Sequence, residues 1–184
     1  VDELSDQMMI RLDKNDTCKK INLSNYDVKK LCLSYDAVVI SDYNKGFLSR
    51  SDIQYILMCC RDTKTPSFLD SKKLLGAWCC DSSFIKINEK EWERSKKYYN
   101  KDNVIITKGS KGAFYKNQNF SPIKQEKVFD VCGAGDTFLA AFTFLFLHDK
   151  DIEKSITFAN ICAGLAVQER GVSTIKKTTY LNYI

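Results

Sequence analysis

The sequence has 184 residues, 44% of them hydrophobic and 28% charged, a composition typical of a globular protein with a proper core. Its net charge of +5 is spread over scattered lysines, which argues against a nucleic-acid partner. Eight cysteines without a C-x-x-C pair, and one histidine, argue against a zinc site. No secretory signal opens the chain, so we expect buried thiols in the reducing cytoplasm.

The first half of the chain predicts strands that alternate with helices. Apolar runs predict strands at residues 8–12, 37–40, 67–69 and 84–87. Apolar residues at helical spacing predict helices at residues 27–33, 49–60 and 89–99, the second of them capped by Ser49 or Ser51. The ends of three of these strands carry polar residues, among them Asp42, Asp70 and Asn88.

The second half predicts further strands at residues 104–106, at 113–115 and around Val128, with turns near 117–119 and Pro122. Helices are predicted at residues 135–148 and 152–169. The apolar run at 138–147 is about half a membrane span, so we expect a core helix and no membrane partner. The alternation predicts a single α/β domain over residues 1–184, with a parallel sheet and ligands at its carboxyl end.

The most informative stretch is residues 130–147, DVCGAGDTFLAAFTFLFL. A turn of Gly133, Ala134 and Gly135 leads into Asp136 and an apolar helix. Unpaired amides at a helix start bind anions, and glycine lets a phosphate approach the backbone closely. Asp136 could cap the helix, or it could take a proton from a hydroxyl group that attacks a phosphoryl group.

Other nucleotide-binding classes lack their motifs here. There is no Walker sequence and no G-x-G-x-x-G, which disfavours P-loop NTPases and dinucleotide-dependent dehydrogenases. The remaining features suit phosphoryl transfer by positioning and charge stabilisation. Asn88 and Glu91 share one helix face, where a carboxylate and an amide can organise hydrated Mg²⁺. The same pair also fits a helix cap with an exposed acid.

Four motifs resemble the PfkB/ribokinase family of sugar kinases. Residues 130–143 resemble its D-T-x-G-A-G-D signature, and residues 88–91 resemble its N-x-x-E magnesium motif. The loop ITKGSKG at residues 106–112 resembles its T-x-G-x-x-G nucleotide loop, and residues 158–160 with 171–174 resemble the tail that flanks the adenine. The resemblance implies a ribokinase-like three-layer α/β/α sandwich with a mostly parallel sheet.

The resemblance also implies a role for each matching residue. Asp136 would be the catalytic base, and the anion hole would consist of Gly133, Ala134 and Gly135. ATP would be bound by Thr107, Gly109, Gly112, Asn160 and Ser173. Water-coordinated Mg²⁺ would be organised by Asn88 and Glu91. A monovalent cation such as K⁺ would lie at Asp130 and Val131, with Ser173 beside it.

Within the family, three shorter patterns resemble the branch that phosphorylates the anomeric hydroxyl of a heptose 7-phosphate. They are residues 41–46 (SDYNKG), residues 70–72, in which Ser71 replaces the usual proline, and residues 7–13. These patterns make Asp42, Lys45, Lys72 and Arg11 the candidate substrate-binding residues. Solvated surface charge is the alternative for the three basic ones.

Family members carry a further segment before the first residue of this chain, holding the first Gly-Gly signature, most sugar contacts and a β-sheet lid. We therefore expect a fold without the N-terminal strands and lid, with an exposed sheet edge and an apolar helix face. A homodimer or a complementing N-terminal segment would complete it. Two alternatives stay open: a non-catalytic nucleotide-binding or assembly subunit, and a family kinase for another sugar or a nucleoside.

Overall fold

The structure is a computed structural model that describes residues 16–95, 97–98, 102–123, 128–169, 171 and 174–176. The predicted strand at residues 8–12, and with it Arg11, lies outside the described residues, as does Ser173. The chain divides into two compact units. One unit consists of residues 16–109 and 114–118, and the other contains residues 110–113 and those from 119 onwards. The single-domain organisation stays a prediction.

Six strands form one sheet in the order in which they occur along the chain. They are β1 (Val38–Asp42), β2 (Ser67–Ser71), β3 (Phe84–Asn88), β4 (Val104–Thr107), β5 (Ala113–Tyr115) and β6 (Gln118–Phe120). Strands β1 to β4 pair in parallel, as the alternation of strands with helices predicts. Lys116 and Asn117 join β5 to β6, and both have the positive φ that a two-residue hairpin turn requires.

Three helices belong to the first unit: α1 (Val28–Ser34), α2 (Arg50–Thr63) and α3 (Glu89–Arg94). Helix α2 begins where predicted, because the Ser49 hydroxyl oxygen accepts the Asp52 N–H and the Asp52 carboxylate accepts the Ser49 N–H. Its apolar face, with Ile53 and Leu57 fully buried, packs against the sheet residues Ile40 and Leu69. Burying this face is what holds the parallel strands in a fixed register.

That register brings the ends of four strands together. Asp42 pairs with Ser71 at the ends of β1 and β2, and Asp70 pairs with Lys86 between β2 and β3. Asn88 pairs with Thr107 at the ends of β3 and β4. The polar residues predicted for the carboxyl edge of the sheet therefore lie side by side in the first unit.

The second unit contains α4 (Ala134–Asp149) and α5 (Ile152–Ala166). Leu145, Phe158 and Cys162 form its core cluster, with Ala141 and Ile175 packed against it. Ten of the sixteen residues in AGDTFLAAFTFLFLHD are apolar, so α4 can bury more than one face. No helix in the described part of the chain is long and apolar enough to cross a membrane.

Four predicted elements differ from the structure. The strand predicted around Val128 is wrong: residues 128–130 are irregular, and the amides of Phe129 and Asp130 donate to the Val167 carbonyl after α5 instead of to a strand. Strand β6 occupies residues predicted as a turn. Helices α3 and α5 are shorter than predicted, since α3 ends at Arg94 and α5 at Ala166.

Candidate functional site

The start of α4 is open. Its N-cap is Gly133, which has φ 77° and no side chain with which to cap the helix. The other described α-helices begin at a residue whose side chain accepts a backbone N–H, namely Asp27, Ser49, Asn88 and Asp151. Helix α4 is therefore the only one of the five to present its first-turn amides without a side-chain acceptor at its N-cap.

The backbone geometry at this turn can be followed amide by amide. The Ala134 N–H donates to the Val131 carbonyl at 3.3 Å, which closes the turn, and the Thr137 N–H begins the helix ladder at the Gly133 carbonyl. The Asp130 carboxylate accepts the Cys132 N–H at 2.8 Å and fixes the approach to the turn. The amide of Gly135 lies in the first turn, where no intrahelical acceptor exists. Of the three amides of the predicted anion hole, that of Ala134 is thus bonded within the turn. Anion binding by Gly133, Ala134 and Gly135 stays a prediction.

Asp136 is the third residue of α4, and its side chain is exposed. It lines a cavity of about 430 Å³ together with the mostly apolar side chains of Thr137, Ala140, Ala141, Phe144, Phe158, Cys162, Thr174 and Ile175. Burial raises the pKa of the Cys162 thiol to about 11, so that thiol is neutral near pH 7 and is not a nucleophile. The carboxylate of Asp136 supplies the negative charge of this cavity.

In the first unit, Asn88 and Glu91 form a capping box at the start of α3. The Asn88 Oδ1 accepts the Glu91 N–H at 2.8 Å, and the Glu91 Oε2 accepts the Asn88 N–H at 3.1 Å. The helix-cap alternative is thus present, but the acid is not exposed, since Glu91 is 7% exposed. A buried carboxylate needs a partner, and Lys72 provides it: its Nζ lies 2.8 Å from the Glu91 Oε1.

The negative charges of Glu91 and Asp70 hold the Lys72 ammonium. Burial disfavours its positive charge, but the hydrogen bond to Glu91 and the charge of Asp70 outweigh that penalty, so the pKa of Lys72 is raised. Its Nζ lies 3.7 Å from the Asp70 Oδ1, which is buried and accepts no hydrogen bond from any described residue. The structure therefore brings the predicted substrate residue Lys72 together with the predicted metal residue Glu91.

Two further ion pairs occupy the ends of β1, β2 and β3. Lys86 donates to the Asp70 Oδ2 at 2.5 Å, and both side chains are about 5% exposed. Lys73 and the Ser71 hydroxyl both donate to the Asp42 Oδ2 at 2.6 Å, while the Asn44 N–H donates to its other oxygen. Asp42, predicted to bind substrate, thus joins the end of β1 to the end of β2 through two hydrogen bonds, from Ser71 and Lys73.

The sequence interpretation missed Lys73 and Lys86. A signal for Lys86 was present in FIKIN, where a lysine interrupts an apolar strand and therefore needs a buried acid beside it. Because parallel strands place residues at matching depth, Asp70 on the neighbouring strand was the available acid. Lys73 carries no such signal, because it follows Lys72 in a polar loop.

The carboxylate oxygens of Glu91 and Asp70 fit hydrated magnesium better than a metal ion enclosed entirely by protein ligands. The described residues contain no cluster of three His, Cys, Asp or Glu side chains that could hold a metal ion. Magnesium keeps several waters and often uses only one or two carboxylates, and the Glu91 Oε1 already faces a cation. The unbonded Asp70 Oδ1 beside the same ammonium is a second oxygen of the right chemistry.

The other predicted residues have varied surroundings. The Lys45 ammonium forms an ion pair with Asp16. The Thr107 hydroxyl approaches the Ile87 carbonyl at 3.4 Å, and Gly109 has φ 55°. Gly112 has φ 86°, and a Cβ there would come 2.0 Å from the Phe120 carbonyl oxygen, so only glycine fits.

Asn160 is buried in α5, and its Nδ2 donates to the same Phe120 carbonyl at 2.8 Å. The bond ties α5 to the segment that follows β5. Asn160 and Gly112, predicted in separate motifs, therefore meet at one carbonyl oxygen of the second unit. Val131, at the predicted monovalent-cation position, is 72% exposed, and its carbonyl accepts the Ala134 N–H.

Comparison with known proteins finds relatives that are similar in sequence to this chain. The Bifunctional protein HldE of Sulfurimonas denitrificans is 31% identical over 92% of this chain and 40% of its own length. That of Haemophilus influenzae (strain PittGG) is 27% identical over 97% of this chain and 42% of its own length. The chain thus spans about two fifths of these relatives.

Among solved structures, the ribokinase of Arabidopsis thaliana, complexed with ribose and ATP, is 20% identical with a TM-score of 0.72. The match covers 92% of this chain and 61% of that one. Phosphofructokinase-2 of Escherichia coli, solved with substrates and products, is 15% identical with a TM-score of 0.65, over 84% of this chain and 59% of that one. It has also been solved with potassium. These likenesses confirm the ribokinase-like α/β fold.

The family assignment rests on the length of the sequence match. Residues 9–179 match the pfkB family of carbohydrate kinases, which includes all four motifs and both compact units. The fold agrees with that match, and so does the similarity to the HldE proteins. The chain therefore belongs to the pfkB family of carbohydrate kinases.

Proposed function

We propose that the protein transfers a phosphoryl group from ATP to a sugar hydroxyl, and that the acceptor is the anomeric hydroxyl of a heptose 7-phosphate. Family membership supports the reaction class. The heptose acceptor is supported by the patterns at residues 41–46 and 70–72 and by the similarity to HldE proteins. The reducing cytoplasm predicted from the sequence is part of this proposal, and all eight cysteines are free thiols.

The observation that carries the proposal is the uncapped start of α4 with an acid at its third position. In this mechanism the exposed Asp136 carboxylate accepts the proton of the attacking sugar hydroxyl. Of the predicted anion hole of Gly133, Ala134 and Gly135, the Ala134 N–H already donates to the Val131 carbonyl. The amides of Gly133 and Gly135 would then stabilise the charge that develops on the migrating phosphoryl group, helped by the positive end of the α4 macrodipole.

A second set of residues would bind the nucleotide. Thr107, Gly109 and Gly112 would contact the phosphates and ribose of ATP, and Asn160 and Ser173 would lie near the adenine. Asn88 and Glu91 would hold hydrated Mg²⁺, which when bound neutralises phosphate charge. The carbonyls of Asp130 and Val131 would hold K⁺, a proposal supported by the potassium complex of the related phosphofructokinase. Asp42, Lys45 and Arg11 remain candidates for the sugar phosphate.

The direct test replaces Asp136 by asparagine, which keeps the shape and removes the base. We expect the Asp136→Asn variant to lose turnover by about 10²–10⁴-fold while its affinity for ATP is unchanged. ADP release is measured with heptose 7-phosphate, ribose, fructose 6-phosphate and a nucleoside as acceptors, and ATP binding by calorimetry. Glu153→Gln, which removes an exposed acid from the first turn of α5, is the matched control and keeps full activity.

Retained turnover in Asp136→Asn would remove this carboxylate from the mechanism. A preference for ribose, fructose 6-phosphate or the nucleoside would keep the kinase and replace its substrate. One observation favours the alternative of a non-catalytic assembly subunit: the cavity beside Asp136 is lined mainly by apolar atoms, which suit packing against protein better than sugar hydroxyls. ATP binding without turnover of any acceptor would support that alternative.

A further inference from the structure

The two oxygens of the Glu91 carboxylate have different partners. Its Oε2 is bound by the Asn88 amide, and its own amide is bound by the Asn88 side chain. The side chain of Glu91 is only 9% exposed, so it cannot turn to offer both oxygens to solvent. Any metal, or any water bound to a metal, must therefore approach the Oε1 atom.

That atom is already engaged by a cation. Lys72 Nζ lies 2.8 Å from the Glu91 Oε1, close to the separation of a charge-assisted hydrogen bond. Asp70 adds a second negative charge 3.7 Å from the same ammonium. The ammonium thus occupies the position from which a hydrated divalent cation would contact Glu91.

Lys72 also differs from its neighbours in freedom to move. Its side chain is 36% exposed, whereas Lys73 and Lys86 are 9% and 5% exposed and are each bound to a buried carboxylate. The flexible stem of a lysine can carry its ammonium several ångströms without a change in the backbone. Of these three cations, Lys72 is the one that can leave its carboxylate.

We propose that Lys72 keeps Glu91 closed to free divalent cations and releases it only when the metal arrives with nucleotide phosphates. A bare Mg²⁺ would have to expel a like-charged ammonium that stays close to the metal beside Asp70, which is unfavourable. A metal–nucleotide complex carries phosphate oxygens that can accept the displaced ammonium in place of Glu91. Lys72 is thus a positioning residue that couples metal binding to nucleotide binding, an inference that rests on the proposed metal role of Glu91.

The test measures binding of Mn²⁺ alone, followed by electron paramagnetic resonance, to the protein without nucleotide. Lys72→Met is expected to bind Mn²⁺ roughly tenfold more tightly than the wild type, because the competing ammonium is gone. Lys72→Gln is a second neutral variant, and Lys72→Arg, which keeps the charge, should retain the weak binding of the wild type.

The matched control is Lys90→Met, which removes the same charge from an exposed residue one position before Glu91. It should leave Mn²⁺ affinity close to that of the wild type. The double variant Lys72→Met/Glu91→Gln should lose the gain. If the neutral Lys72 variants bind no better than Lys90→Met, or if the gain survives in the double variant, the inference is wrong.

A separate measurement distinguishes this inference from the proposed function. Binding of Mg·ATP to Glu91→Gln tests the metal role of Glu91 whatever Lys72 does, and an unchanged affinity would overturn that role. With the role intact, the ratio of metal affinities with and without nucleotide should fall in Lys72→Met. An unchanged ratio would show that metal and nucleotide are not coupled through Lys72.

Discussion

Helices α3 and α4 each carry an acid at their third position, but the two helix starts are built in opposite ways. At α3, Asn88 and Glu91 satisfy each other's amides, Glu91 is buried, and Lys72 neutralises it. At α4, the N-cap is a glycine in the left-handed region, and Asp136 is exposed at the mouth of a cavity. The acid at the third helix position is thus buried and paired with a lysine in α3, and exposed beside a cavity in α4.

The difference indicates how stability and activity are divided between the two regions. At the strand ends beside α3, each acid has a paired lysine, so removal of one partner leaves a buried charge behind. At α4, the backbone itself supplies the charge through its amides and macrodipole, which costs no side-chain partner. We therefore expect substitutions near α3 to lower stability most, and substitutions at the α4 start to lower turnover most.

The largest effect on stability is expected for Lys86→Met. The substitution leaves the Asp70 carboxylate buried without the ammonium that lies 2.5 Å away, at a cost of about 3–5 kcal/mol in the free energy of unfolding. Urea denaturation measures this loss. The double variant Lys86→Met/Asp70→Leu should recover most of it, because no buried charge remains. A loss below about 1 kcal/mol in Lys86→Met would show that this region is not held by its ion pairs.

Gly133→Ala examines the opposite region. A side chain at φ 77° costs roughly 1–2 kcal/mol in stability, and relief of that strain moves the first-turn amides. We expect kcat for phosphoryl transfer to fall by about 10²-fold, the effect of losing one anion-hole donor. The reverse change at the other end of α4, Lys150→Gly at φ 58°, should raise stability without altering kcat. A rise of kcat in Lys150→Gly, beside the fall in Gly133→Ala, would mean that helix stability alone controls turnover.

The sequence predicts most of the fold because its signals are local. Ser49 caps α2 and Asn88 caps α3, and four apolar runs give the parallel strands, with ends shifted by one or two residues. The motif at residues 130–136 likewise predicts a helix start at Gly135, one residue after the observed start at Ala134, with Asp136 in the first turn. These features depend on neighbours in the chain, so periodicity and capping patterns are enough to find them.

Contacts between distant residues could not be predicted in the same way. The helix-cap alternative at residues 88–91 came with an exposed acid, but Glu91 is buried and its carboxylate pairs with Lys72, nineteen positions earlier. Residues 128–130, where a strand was expected, are irregular, and the amides of Phe129 and Asp130 donate to the Val167 carbonyl. Both outcomes depend on which segments meet after folding, and a single sequence carries no direct record of those meetings.

The smallest expected effect concerns a third helix with an acid at its third position. Asp52 of α2 forms a capping box as Glu91 does, but no nucleotide or metal role is proposed for it. Chiefly the hydrogen bond from Ser49 lowers the pKa of Asp52 below its ordinary value of 3.8, so the folded state favours the charged form. The contribution of the Asp52 carboxylate to stability is therefore present above that value and is lost as the pH falls through the lowered pKa.

The Asp52→Asn variant should melt a few degrees below the wild type at pH 7, a difference that shrinks in acid, with kcat unchanged. Circular dichroism at several pH values measures the difference, and a change in kcat would show that capping acids and the α4 acid are not separate in function.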